Sequence, residues 1–313
     1  MQLHKDITKL PSLTKAVLTI GSFDGVHLGH KTILQQLTEA AKAIDGTSVV
    51  ISFFPHPKLF LGQNNDKPIA LLNTIDEKAT LMEKSGVDHL VLVPFTAEFA
   101  SMEAEAYISD FLVKFFHPHI VIIGHDHRFG KNRSGDFNLM KSCGIKYGFQ
   151  VLEIPECVIN NIGISSTTIR NKLKSGDVTE ANELLGYQYS FTGTVIKGNQ
   201  IGRTIGFPTA NLSIEDDWKL IPCNGVYAVS GLLKEKESFK GMMNIGNRPT
   251  FDGKERNIEV HIFEFDKEIY KEKLTINIVQ KIRDEIKFTN IDELQAQLKT
   301  DQSTCLQLFN HLS

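Results

Sequence analysis

"AVLTIGSFDGVHLGH" occupies residues 16–30 and joins three features: an apolar run, a Gly-rich bend and two histidines three positions apart. Ala16 to Ile20 are apolar at almost every position, as expected of a strand covered on both faces of a parallel sheet. The "HKTILQQLTEAAKAI" that follows (30–44) has its apolar residues at helical spacing. A strand that turns through glycine into a helix is half of a βαβ unit, and the alternation repeats. The runs "SVVISFF", "HLVLVPF", "HIVIIG" and "FQVLEIP" are separated by "TIDEKATLMEKSG", "EAEAYISDFLVKFF" and "GDFNLMKSCGIKYG". Residues 15–155 therefore predict an α/β fold, a Rossmann-like, doubly wound parallel sheet. Ligands of such sheets bind at the carboxyl ends of the strands.

After "GDVTEANELLGYQY" (176–189) the pattern changes. "SFTGTVIKG", "GVYAVSGLLK", "FKGMMNIG", "NIEVHIFEF" and "LTINIVQKI" have period two, lie between Gly, Pro and Asn turns, and include no convincing helix. They predict a small antiparallel β-barrel. "NIDELQAQLKTDQSTCLQLFNHL" opens with an Asn suited to cap a helix and a nearby Glu, and predicts a C-terminal helix. The length of 313 residues accommodates two domains, placed at 1–186 and 187–313.

Hydrophobic residues make up 41% of the chain and charged residues 23%, with a net charge of −3. That charge gives no global attraction to nucleic acid or anionic membrane, so any phosphate chemistry is local. Cys143, Cys157, Cys223 and Cys305 are scattered without a CxxC pair and read as thiols of a reducing compartment. No stretch approaches the roughly 18 apolar residues of a membrane span, and "MQLHKDITKLPSL" has no apolar leader core. The expectation is a cytoplasmic protein that binds neither nucleic acid nor membrane, with any self-association weak or transient.

In the first half, His27 and His30 would share one face of the first helical turn. There they can donate to phosphate oxygens as charge develops, beside the N–H groups of a helix N-terminus. On its own the same stretch also suits a turn whose histidines only cap and pack. Three further clusters end other elements: "FFPHP" (53–57) with His56 between prolines, "IGHDHRFGKNRSGD" (123–136) with His125, Asp126 and His127, and "ISSTTIR" (164–170) with Arg170. In the second half, "KGNQIGRTIG" (197–206) suits a phosphate wrapped by backbone amides. "PTAN" offers the Thr209 hydroxyl and Asn211 amide oxygen, hard donors suited to Mg²⁺. Glu259 alternates with Ile258 and Val260 and can project from a strand away from its apolar face.

"GSFDGVHLGH", "FFPHP", "GHDHRFGKNRSG" and "ISSTTIR", in this order over residues 1–185, resemble the N-terminal module of the bacterial bifunctional riboflavin kinase/FAD synthetases, members of the HxGH nucleotidyltransferase superfamily. His127 stands where that family often has Phe. The resemblance implies ATP contacts from Gly21, Phe23, Asp24, Gly29, His30, Asp126, Ser166, Thr167 and Arg170, with His27 and His30 catalytic. It implies flavin contacts at Phe54, Pro55, His56 and Pro57. Residues 187–313, with "PTAN", "NGVYAV", "NIGNRPTF" and "RDEIKF", resemble the riboflavin kinase domain. There the resemblance implies ATP contacts from Gly198, Gly202, Arg203, Gly206, Thr209 and Asn211. It makes Thr209 and Asn211 the Mg²⁺ ligands, Glu259 the base for the riboflavin 5′-hydroxyl, and Arg283 and Glu285 flavin contacts. The implied reactions turn riboflavin into FMN and FMN into FAD, each with ATP. Adenylyl or cytidylyl transfer to another phosphate and a non-catalytic flavin-binding regulator are the alternatives. The kinase-like barrel argues against the first, and the retained His27, His30, Thr209, Asn211 and Glu259 against the second.

Overall fold

A computed structural model describes the chain except for residues 63–68, 125, 156–157, 160–161, 199–200, 235, 251–252 and 313. It divides into two units, Met1–Ser166 and Thr167–Ser313.

The first unit holds a six-stranded sheet, β1 (Gln2–His4), β2 (Val17–Ile20), β3 (Ser48–Phe54), β4 (His89–Pro94), β5 (Ile120–Gly124) and β6 (Gln150–Ile154), in the order β1-β4-β3-β2-β5-β6 with every pair parallel. The runs expected as strands are β2 to β6. Consecutive apolar residues are needed because both faces are covered. Val17, Val50, Leu90 and Ile122 pack against Leu34 and Leu37 of the helix Leu28–Ala43 and Met82 of the helix Ile75–Lys84. Leu18, Ile51, Val91 and Val121 face the other way, against Ile108, Phe111, Met140 and Cys143. The chain runs outward from β2 through β3 to β4, then returns to place β5 on the free side of β2. The loops after β2 and β5 thus flank the point where the winding reverses, where such sheets bind ligands. Residues 104–116 are helical as expected, with a π-helical middle at Tyr107–Val113.

The second unit begins within the helix Ser166–Ser175, continues through the helix Val178–Leu185 and then closes a six-stranded antiparallel barrel. The first unit ends with the antiparallel pair β7 (Val158–Ile159) and β8 (Ile162–Gly163), and the barrel strands of the second are β9 (Ser190–Ile196), β10 (Ala210–Ser213), β11 (Gly225–Leu233), β12 (Glu237–Thr250), β13 (Gly253–Ile262) and β14 (Lys273–Arg283). Ala210–Ser213, absent from the strands that the sequence predicts, is the strand that pairs with both β13 and β9 and closes the barrel. Its four residues are too few to establish a period. The Gly-rich segment, read without a helix, contains the short helix Ile201–Thr204. The terminal helix Ile291–Leu312 is capped as expected, with Asn290 Oδ1 accepting from Glu293 N at 2.9 Å. It seals the barrel through Cys305 and Phe309 against Ala228 and Met242.

Candidate active sites

The turn after β2 is under backbone strain: Phe23 and Val26 have φ of 46° and 34°, rarely adopted by an aromatic or β-branched residue. Gly21 N first donates to Ile51 O at 3.0 Å, which fixes the end of β2. Asp24, almost fully buried, then ties the turn down. Its carboxylate accepts from Leu72 N at 3.0 Å and Asn73 N at 3.2 Å, and its carbonyl accepts from Ser166 Oγ at 2.8 Å. His27 is the N-cap of the following helix, its Nδ1 accepting from His30 N at 3.3 Å, which leaves the ring proton on Nε2. Gly29 lies within the first helical turn. The two imidazoles stack with centroids 3.6 Å apart and planes 16° apart, and the Phe23 ring lies 4.9 Å from His30. Burial above all, then the neighbouring His27 and Lys78, hold the His30 pKa well below its ordinary value. His30 Nδ1 is buried and has no hydrogen-bond partner.

The other first-unit clusters also end their strands as the sequence places them. Phe54 is exposed and joined to Pro55 by a cis peptide. His56, itself buried, caps the short helix Pro57–Leu61 by accepting from Lys58 N at 3.1 Å. Asp126 is exposed just beyond β5. His127 stacks on Phe129 at 5.9 Å; its Nε2 is buried without a partner, and burial depresses its pKa to about 4. His125 lies outside the described residues. Ser166 belongs to this unit, whereas Thr167 and Arg170 belong to the second, Thr167 exposed and Arg170 buried.

In the barrel, antiparallel register sets Asn211 of β10, Glu259 of β13 and Asn244 of β12 side by side in one row on one face. Ile258, Val260 and Ile262 point the other way, into the core. The Glu259 carboxylate accepts from Asn257 Nδ2 at 2.6 Å and from Thr209 Oγ1 at 3.4 Å, and opens onto a cavity of about 430 Å³. His261 bonds the Pro208 carbonyl at 2.7 Å and thereby holds the segment before Thr209. Burial lowers its pKa and the Pro208 bond opposes this. Gly198 and Gly202 permit close approach: a Cβ would overlap the Asn211 amide at one and the Phe207 carbonyl at the other. Arg203 is exposed beside them, on the short helix, and Gly206 ends the segment at φ +82°. Glu285 is held by Asn224 Nδ2 at 2.9 Å on the cavity wall. Arg283 also lines the cavity, but its guanidinium is engaged by Asp301 at 2.7 Å and by the Asp284 carbonyl at 2.9 Å. Among the described residues no group of three His, Cys, Asp or Glu side chains could hold a metal ion.

The FAD synthetase family model matches residues 9–168 and the riboflavin kinase model residues 185–309. The chain is 38% identical over 299 residues to a bifunctional riboflavin kinase/FMN adenylyltransferase from Haemophilus influenzae, covering 95% of this chain and 96% of that one. It is 38% identical over 294 residues to the protein so named from Escherichia coli, covering 94% of this chain and 92% of the other. The chain belongs to the bifunctional riboflavin kinase/FMN adenylyltransferase family. A crystal structure described as a macrolide-efflux protein from Streptococcus pneumoniae superposes with a TM-score of 0.87 at 31% identity, covering 97% of this chain and 98% of that one. In this chain, among the described residues, no helix is long and apolar enough to cross a membrane.

Sequence reading passed over two residues of this chain. Asn257 carried no signal as a carboxylate partner, since its role follows from strand register. Lys78 carried a faint one. It falls on the stripe shared by Ile75, Ala79 and Met82, where an apolar residue is expected, and it is buried.

Proposed function

We infer that the chain makes FAD from riboflavin in two steps at two sites. As a member of its family it phosphorylates riboflavin with ATP, giving FMN and ADP. It then transfers AMP from a second ATP to FMN, giving FAD and pyrophosphate. We assign the first step to the barrel and the second to the parallel-sheet unit.

The contrast between two carboxylates carries that division. Glu259 opens onto a cavity within reach of the Thr209 hydroxyl, whereas Asp24 is buried and occupied by the amides of Leu72 and Asn73. An alcohol attacking a γ-phosphate benefits from a positioned base, which Glu259 supplies, oriented by Asn257. The FMN phosphate has a second pKa of about 6 and is already a dianion at neutral pH. It needs its charge cancelled rather than a proton removed, and His27, His30 and the helix N-terminus suit that task. Thr209 and Asn211 supply hydroxyl and amide oxygens, a hard donor set that fits Mg²⁺. Thr209 and Asn211 would hold Mg²⁺ together with ATP, and the ion would supply charge neutralisation at the transferring phosphate. Phe54 to Pro57 and Glu285 are the flavin-side residues. The nucleotide roles of Thr167 and Arg170 rest on family resemblance alone. The free thiols of Cys143, Cys223 and Cys305 suit a cytoplasmic setting.

The test is incubation of the full chain with riboflavin, ATP and Mg²⁺, with the flavins resolved by chromatography. FMN should appear first and FAD after it, and chelation of Mg²⁺ should stop the first step. FAD formation without an FMN intermediate, or FMN accumulation without FAD, would overturn the assignment.

A further inference from the structure

Lys78 is buried in the first unit, on the helix Ile75–Lys84. Its Nζ donates to Ser22 O at 2.7 Å and to Ser52 Oγ at 3.4 Å, and Ser52 Oγ donates to the same carbonyl at 3.2 Å. Two donors therefore draw the oxygen of the Ser22–Phe23 peptide toward the layer that contains this helix. A trans peptide directs its N–H opposite to its C=O. The Phe23 N–H is thus turned away from Lys78, and none of the described backbone groups accepts it. Strain is a second, independent observation. Phe23 and Val26 keep positive φ, which persists only where the surroundings over-determine the backbone. The anchors are Lys78 at Ser22 and, between the two strained residues, Asp24 on the amides of Leu72 and Asn73. The Asp24 charge favours the ammonium form of Lys78 against the burial that opposes it.

We propose that Lys78 is a positioning residue for adenylyl transfer: it fixes the Ser22–Phe23 peptide so that the Phe23 N–H joins His27, His30 and the helix N-terminus in receiving the phosphates of ATP. The ammonium acts from beneath the loop, through a carbonyl, and does not itself touch the nucleotide. The proposal rests on the first unit being the adenylyltransferase, which FAD synthesis from FMN by the wild-type chain tests separately.

The experiment uses full-length Lys78→Met and Lys78→Ala, assayed with FMN and ATP. A misdirected donor lowers turnover without disturbing the acceptor site. In Lys78→Met, kcat for FAD formation should therefore drop ~10²-fold, while the KM for FMN and the rate of riboflavin phosphorylation stay within about twofold of wild type. In Lys78→Ala, added propylammonium should restore turnover saturably, with no effect on wild type. Near-wild-type kcat in Lys78→Met would overturn the proposal. So would a parallel loss of FMN affinity and melting temperature with no rescue by propylammonium, or insolubility of both variants, since each makes Lys78 a folding residue only.

Discussion

His127 stacks on Phe129 with its Nε2 buried and unpartnered, a residue that no reaction step uses. A buried polar atom without a partner costs ~1–3 kcal/mol. His127→Phe keeps the stacked ring and removes that atom, so unfolding in denaturant at pH 7 should require about that much more free energy. The pH dependence has a definite sign. Burial chiefly, then Arg133 and Arg128, depress the folded-state pKa from 6.5 to about 4, against the pull of Asp126. The unfolded chain therefore binds the proton first. Stability should be full above pH 6.5 and should fall as pH drops toward 4, by at most ~3 kcal/mol from this residue. His127→Phe should flatten that decline; parallel wild-type and variant curves between pH 7 and 4 would contradict the assignment. The proposed histidine and glutamate sites separate just as cleanly. Glu259→Gln should lower riboflavin phosphorylation ~10²–10⁴-fold and leave FAD formation from supplied FMN near wild type. His30→Ala should do the reverse, with a loss of ~10²–10³-fold and FMN as the end product. Comparable losses of both activities in either variant would mean a folding defect.

Strand β14 and the terminal helix pack through Val279 and Ile282 against Cys305 and Phe309, and an ion pair whose Asp301 end is fully buried ties them further. Arg283 donates to Asp301 through Nε at 2.9 Å and Nη2 at 2.7 Å, and Asp301 also accepts from Gln297 Nε2 at 2.9 Å. Removing one partner of a buried pair costs ~3–5 kcal/mol, because the other keeps its desolvation penalty. Arg283→Ala strands the more deeply buried charge and should cost more than Asp301→Ala, which leaves a guanidinium that can reach water. Thermal melts of the two variants check the order. An Arg283 that mainly held flavin would instead raise the KM for riboflavin with little change in melting. The strength of the sequence signal decided which elements were legible. β2 to β6 announce themselves because a strand covered on both faces must be apolar throughout, and the helix Ile75–Lys84 because its apolar residues fall at helical spacing, to which the structure adds a capping box of Thr74 and Glu77. β1, of three residues with two exposed, and β10, of four, are too short for any period to appear; tertiary pairing makes them strands. The first site was legible as motifs because its backbone geometry needs particular residues in sequence. Lys78 and Asn257 were not, because they reach their partners across the fold.

At the scale of the molecule, the sequence pattern changes near residue 186, whereas the structural division falls at Ser166/Thr167. The twenty residues between are not idle. Ile169, Leu173, Val178, Ala181, Leu184 and Leu185 of the two helices are buried. Asn182 Nδ2 donates to Ile278 O of β14 at 3.0 Å and its Oδ1 accepts from Tyr189 N at 2.7 Å, so the second helix is bonded to the barrel it precedes. Cys223 N donates to Leu173 O at 3.3 Å, which ties in the first. A fragment of residues 187–313 loses these partners, uncovers apolar surface on the barrel and leaves the Ile278 carbonyl without its side-chain donor. A fragment of residues 167–313 keeps them. Both retain Thr209, Asn211, Asn257 and Glu259, so both should phosphorylate riboflavin and neither should make FAD. The longer fragment should melt several degrees higher, since ~1 kcal/mol corresponds to roughly 2–8 °C in domains of this size range. Calorimetry and flavin chromatography on the two fragments measure both quantities. Equal melting temperatures would show that the two helices are dispensable to the barrel, and a folded 167–313 fragment without kinase activity would remove the kinase from this unit.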